Sequence, residues 1–461
     1  MMKKNFPVLL LCAMAACNSS DNKTSNNEVK LITLDPGHFH AGLVQKTMYP
    51  GVDSIVHVYA PAGADLQLHL DRINGYNNRA EKPTIWKEEV YTGDDFMEKM
   101  LQQKKGNVVV MAGNNRKKTE YILKAVEAGF NVLADKPMVI DTKNFEVLKN
   151  AFDVAAKNNV LLYDIMTERY EITTMLQREF SLLPEVFGQL EKGTAENPAI
   201  TKESVHHFYK YVSGNILTRP PWFMDVTQEG EGIVDVTTHL VDLVQWECFP
   251  EQSINYEKDI QLVSARRWPT DMTLSQFNNV TKLNGFPDYL KKDVVNDSVL
   301  KVYSNGEINY QLRGVYAKVS VVWAYKAPEG TGDTHYSIMR GTNANLVIRQ
   351  GAEQKYKPVL YIEPVNKKDT SFATTLVDQL KSIQSKYPGI ELIKTDSGWE
   401  VTIPEKYKEG HEAHFARVTE KFLQYFKDGK LPAWEVPNML AKYYTTTQAL
   451  ELAIKTGNST K

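Results

Sequence analysis

The order of the apolar runs constrains this chain most. From Val29 onward, short runs rich in branched apolar residues alternate with stretches of helical spacing. "VKLITLD" precedes the helical "HAGLVQKTM", and "SIVHVYA" precedes "DLQLHLDRI". "NVVVMAG" leads into the amphipathic "KKTEYILKAVEAG", whose last glycine is an ordinary helix stop. "FNVLADKPM", "KNFEVLKNAFDVAAKNN" and "VLLYDIM" repeat the pattern. Strands separated by helices do not close hairpins, so residues 29–168 are expected to form a doubly wound parallel sheet.

Near residue 170 the pattern changes. Alternating strands dominate: "EVFGQLEKGTA", "VLKVYS", "EINYQLR", "YAKVSVVWAY", "THYSIMRG", "ANLVIRQ", "PVLYIEP" and "GWEVTIP". Two helical segments, "HEAHFARVTEKFLQYFKDG" and "EVPNMLAKYYTTTQALELAIKTG", close the chain. The expected fold class is therefore α/β. A second domain over 169–461 holds a large, mostly antiparallel open sheet and C-terminal helices. A chain of 461 residues is long enough for both cores. A formal net charge of −2 leaves no broad basic surface for nucleic acid. No run of about 18 apolar residues suggests a spanning helix.

The N-terminus reads differently. "MMKKNF" is basic, "PVLLLCAMAA" is a short apolar run, and small residues lead into Cys17. Residues 1–17 form a secretory leader that resembles a bacterial lipoprotein signal, in which Cys17 becomes the lipidated N-terminus. A plain cleaved signal is the alternative. Asn18 after the cysteine implies, by the same resemblance, a lipid anchor in the outer membrane of the cell envelope. Residues 18–28 are polar and read as a flexible tether. With Cys12 and Cys17 consumed, Cys248 is left alone, so no internal disulfide forms.

The turn after the first strand poses the chemical question. Aligned on the phosphate-cradling G-x-G-x-x-G, it reads Asp35-Pro36-Gly37-His38-Phe39-His40, and the middle glycine alone survives. Asp65 is the nearest candidate for the acid that normally follows, and it sits late. His38-x-His40 could be half a metal site, but no third ligand is close in sequence and no metal is expected. The blander reading has one histidine packing or capping and the other facing the cleft. His411 and His414 are i, i+3 at a helix start and could also pair on a metal. A capped helix with one cleft-facing histidine suits them better.

"VVVMAGNNRKKTEYILKAVEAGFNVLADKPMVI" resembles the signature stretch of the Gfo/Idh/MocA oxidoreductases. Gly113-Asn114-Asn115 stands at the family's T-P-N-type turn, and Asp135-Lys136-Pro137 at its E-K-P. "GEGIVDVTTHLVDLVQW" resembles the glycines followed by D-x-G-x-H-x-x-D, with Asp235, His239 and Asp242 in place. Glu231 interrupts the glycines and Thr237 replaces the usual glycine. Asp235 and His239 are four apart, so a helix stacks them on one face. A structural pair or half a metal site is the alternative there. Arg169 in "TERYE" matches the N-x-R-F/Y after the last nucleotide-domain strand.

The resemblance implies a Rossmann domain that takes NAD or NADP on Pro36, Gly37, His38, Phe39, His40, Asn114, Asn115, Asp135 and Lys136. It implies catalytic roles for Lys136 and Asp235, which hold the substrate oxygen, and for His239, which moves its proton. The substrate would be a sugar, polyol or keto-sugar, contacted by Arg169 among others. "ESVHHFYKYVSGNILTRPPWFMD" concentrates cations and aromatics, and His207, Lys210, Arg219 and Trp222 are candidate substrate contacts. Packing or an exposed loop is the alternative for that block. By family analogy the open sheet face could form a homo-oligomer.

Export and cofactor pull against each other. "MMKKNF" lacks twin arginines, so the chain is expected to cross the membrane unfolded and without a bound nucleotide. Three readings stay open: an enzyme that captures and internally recycles its cofactor, a carbohydrate-binding lipoprotein on a non-catalytic fold, or a cytoplasmic enzyme.

Overall fold

The computed structural model describes residues 28–457 except 213 and 214. The leader, Cys17 and the tether up to residue 27 lie outside the described residues.

Six strands build the first sheet: β1 (Leu31–Leu34), β2 (Ile55–Ala60), β3 (Lys87–Thr92), β4 (Val108–Met111), β5 (Asn131–Asp135) and β6 (Leu162–Ile165). Their order is β3-β2-β1-β4-β5-β6, and every pairing is parallel. β1, β4 and β6 are buried at every residue, as strands covered on both faces must be. β3 and the helix Phe96–Gln103 that follows it were not legible as an α/β repeat. β3 lies at the sheet edge, and its "KEEVYT" is largely exposed, so no apolar run marks it. The helix after β1 spans only His40–Val44. It stops early because the Tyr49 hydroxyl donates to the Val44 carbonyl and Pro50-Gly51 follow.

The second sheet runs, in spatial order, through Ile260–Thr273, Val299–Leu312, Val315–Lys326, Ile200–Tyr209, Thr334–Arg340, Ala344–Arg349, Val359–Pro364, Trp399–Thr402 and Glu391–Lys394. Its pairings are antiparallel except that of Ile200–Tyr209 with Val315–Lys326. "VLKVYS" and "EINYQLR" form one strand through Gly306, where a Cβ would lie 2.6 Å from that of Ile233. "EVFGQLEKGTA" forms no extended strand. Pro184–Phe187 is a helical turn, and Gly188 and Gly193 take positive φ. The helix Ser371–Lys386 sits among the strands where none was expected.

The last two helices, His411–Asp428 and Glu435–Gly457, return to the first domain. Phe415, Val418, Phe422, Tyr425, Met439 and Tyr443 join the core beneath β1–β6. Each such large apolar side chain contributes about 1.5–3 kcal/mol on burial. Ala441, Ala449 and Leu450 of the final helix pack into the core of the second sheet, so one helix ties both cores.

Candidate active site

The C-terminal ends of parallel strands face ligands in doubly wound sheets. Here they open on a cavity of about 460 Å³ that the second sheet closes from the other side. β5 ends at Asp135, just behind the lining, and Lys136 follows on the cavity wall. The turn 232–236 and the following helix Thr237–Cys248 deliver Asp235 and His239. Asp235 thus precedes the regular helix rather than lying within it. The glycines before it have separate reasons. Gly230 has φ +100°, and a Cβ at Gly232 would strike the Ser304 carbonyl. Glu231 between them is held by Arg267 Nε at 2.5 Å. Thr237, at the family's glycine position, is fully buried and donates its hydroxyl to the Ile233 carbonyl.

Lys136 and Asp235 form a buried ion pair beside the cavity. Burial opposes the charge on Lys136, but Asp235 and Asp135 keep its pKa above the ordinary lysine value. His239 is 8% exposed and lines the same cavity. Burial, and then the Lys136 charge, lowers its pKa to about 4, so the ring is neutral at ordinary pH. Its Nδ1 is buried without a hydrogen-bond partner among the described residues. Glu168 lies close by. Burial pushes its carboxyl up, but the His411 hydrogen bond and the neighbouring histidines hold it well below the carboxylate range.

The other wall is cationic. Arg219 donates Nε to the Phe208 carbonyl at 2.8 Å and lies over the rings of Phe223 and Trp323. Burial lowers its pKa to about 10. Lys210 reaches the cavity but is paired with Asp333 at 2.7 Å. His207 Nδ1 lies 3.1 Å from the same carboxylate, buried behind the lining. Arg169 does not line this cavity. It grips Asp242 with two hydrogen bonds of 2.6 and 2.7 Å and reaches Glu435 at 3.0 Å. Lys442 joins Asp242 to Asp164, so this buried network links β6, the Thr237–Cys248 helix and the final helix. Glu168, Glu229, Lys202 and Asp333 also shape the cavity, and no spacing in the sequence singled them out.

The glycine turn gives the test for a dinucleotide. The reactive end fits, because Lys136, Asp235 and His239 surround open space. The phosphate end is closed in this structure. A Cβ at Gly37 would meet Trp222 Cζ2 at 3.0 Å and Asp65 Oδ2 at 3.1 Å, and Trp222 Nε1 donates to that oxygen at 2.7 Å. A crevice of about 20 Å³ remains beside Pro36, Gly37, His38 and Phe39. Asp35 adds a second carboxyl there, its pKa raised to about 6 by burial and by Asp65. A phosphate at Gly37 would require Trp222 to part from Asp65. Asn114 and Asn115 are engaged with the second domain, donating to Gln228 at 2.7 Å and to the Glu229 carbonyl at 2.6 Å.

Comparison with known proteins places this geometry in a family. Residues 54–164 match the family described as "Oxidoreductase family, NAD-binding Rossmann fold", and residues 176–454 match "Putative oxidoreductase C terminal domain". The first match makes the β1–β6 unit a Rossmann domain of the NAD-binding class. The crystal structure of "a putative oxidoreductase from Parabacteroides merdae" is 59% identical, covering 93% of this chain and 98% of that one, with a TM-score of 0.91. GenD2 from gentamicin A biosynthesis, in complex with NAD, is 15% identical over 93% of this chain and 95% of its own, with a TM-score of 0.55. Levoglucosan dehydrogenase with NADH and levoglucosan is 11% identical over 92% and 97%, with a TM-score of 0.58. At those identities the likeness is one of fold. None of the curated proteins compared with the chain matches it. The chain belongs to the Gfo/Idh/MocA family of oxidoreductases.

Proposed function

We propose that the chain is an NAD-dependent dehydrogenase of a sugar, polyol or keto-sugar. The observation that carries this reading is the Lys136–Asp235 pair beside a neutral His239 on one cavity. When bound, the nicotinamide supplies the hydride-accepting carbon. The chain's own residues do the rest. Lys136 and Asp235 orient the substrate oxygen, and the lysine charge favours its developing negative character. His239 takes the hydroxyl proton. Arg219, a buried cation with no carboxylate in ion-pair reach among the described residues, supports an oxygen-rich ligand. Levoglucosan dehydrogenase, a fold relative crystallised with a sugar and NADH, is consistent with that class.

The test is nicotinamide reduction by the full chain across a panel of sugars and polyols. His239→Ala should lower kcat by about 10²–10⁴ with substrate affinity largely kept, the usual share of a general base. Unchanged kcat in that variant removes His239 from the chemistry. A second reading, carbohydrate binding without turnover, is favoured by Trp222 seated on the glycine turn. Sugar affinity that is indifferent to NAD, with no turnover, selects it. Lipid anchoring through Cys17 at the outer membrane, internal recycling of the cofactor, and self-association across the second sheet belong to the same proposal. They are tested by palmitate labelling, by the cofactor's state after turnover, and by the mass in solution.

A further inference from the structure

We propose that His38, His40 and Asp135 form a binding site for a divalent transition-metal ion of the zinc class, open toward the cavity. Three observations carry the inference. First, the ligand atoms converge. His40 Nδ1 lies 2.9 Å and His38 Nδ1 3.4 Å from Asp135 Oδ2, and the three donor atoms lie within 4.8 Å of one another. Zinc bonds of 2.0–2.2 Å in a tetrahedron put neighbouring donors about 3.4 Å apart. Second, hydrogen bonding leaves the group unsatisfied. His40 bonds the carboxylate, but His38 Nδ1 has no hydrogen-bond partner despite its short separation, and Asp135 Oδ1 has none either. Asp135 is 3% exposed, so water does not satisfy that oxygen from bulk. Buried polar atoms in such a state need an explanation, and a cation between them provides one. Third, the site has the layout of a reactive rather than a structural centre. His38 and His40 line the cavity while Asp135 sits behind them, so a fourth ligand would come from the cavity side.

The two histidines are presented by the turn between β1 and its short helix, and the aspartate by the end of β5, 95 residues from His40. Lys118 donates to the Asp135 carbonyl at 3.0 Å and fixes the end of that strand. The inference stands apart from the dehydrogenase reading, because metal binding needs neither nucleotide nor turnover.

The experiment is calorimetric titration of the tag-free, chelator-treated full chain with Zn²⁺. One ion per chain is expected. His40→Ala and Asp135→Asn should each weaken binding by at least tenfold. X-ray absorption of the zinc-loaded wild-type chain should show two imidazole nitrogens, which keeps the test decisive if a variant does not fold. Absence of stoichiometric binding overturns the proposal. So does binding that both folded variants retain, or a zinc environment without imidazole.

Discussion

At the residue scale, buried charge sets the pH response. Glu88 on β3 is turned inward, accepts from Gln45 Nε2 at 2.7 Å and has His69 Nε2 at 4.0 Å. Burial raises its pKa from 4.5 to about 7, while burial lowers His69 to about 3, so no cation compensates. The folded chain therefore binds this proton more tightly than the unfolded chain. Its stabilising share is full below the unfolded pKa and is lost as pH rises from 4.5 to about 7. The slope is at most about 1.4 kcal/mol per pH unit. Glu88→Gln should raise Tm at about pH 8 and narrow the gap between Tm at about pH 5 and pH 8; an unchanged gap assigns the pH dependence elsewhere. Asp65 gives a second test. Asp65→Ala removes the acceptor that holds Trp222 over Gly37 and one carboxyl from the phosphate turn. NAD should then bind several-fold more tightly in a fluorescence titration. Weaker binding would mean that Asp65 serves the nucleotide rather than shutting it out.

Elements were legible in proportion to how much of their pattern is local. β1, β4, β5 and β6 read as buried runs, and Lys136, Asp235 and His239 stood out through the stretches around them. β3, at an edge and charged, did not. Asp333 bears Lys210, His206 and His207 from a loop of no particular pattern, so only the fold reveals it. The missing third partner of His38 and His40 was invisible for the same reason, since Asp135 ends β5, one strand removed from β1 in the sheet. Arg169 was expected at the substrate and instead braces elements, because two carboxylates from distant helices claim its guanidinium. Arg169→Met leaves Asp242 and Glu435 buried with fewer partners and should cost about 3–5 kcal/mol in urea unfolding. A loss below about 1 kcal/mol would show that Lys442 alone sustains the network.

At the scale of the whole molecule, no helix among the described residues is long and apolar enough to cross a membrane. The lipid anchor proposed at Cys17 is tested independently of that. Cys17→Ser should move the protein from the envelope fraction to the soluble fraction on cell fractionation, and retention in the envelope would refute the lipid anchor. The return of the last two helices has a further consequence. Phe415, Val418, Phe422 and Tyr425 complete the core that β1–β6 begin, yet they are made nearly 400 residues after Leu31 and its neighbours emerge. During synthesis the first domain waits, its apolar underside bare, for the end of the chain. Both cores close only with the final helix, but the first domain's share is among the first of the chain to be made. A chain cut before His411 should stay protease-sensitive across residues 29–168, with no independently folding nucleotide domain released.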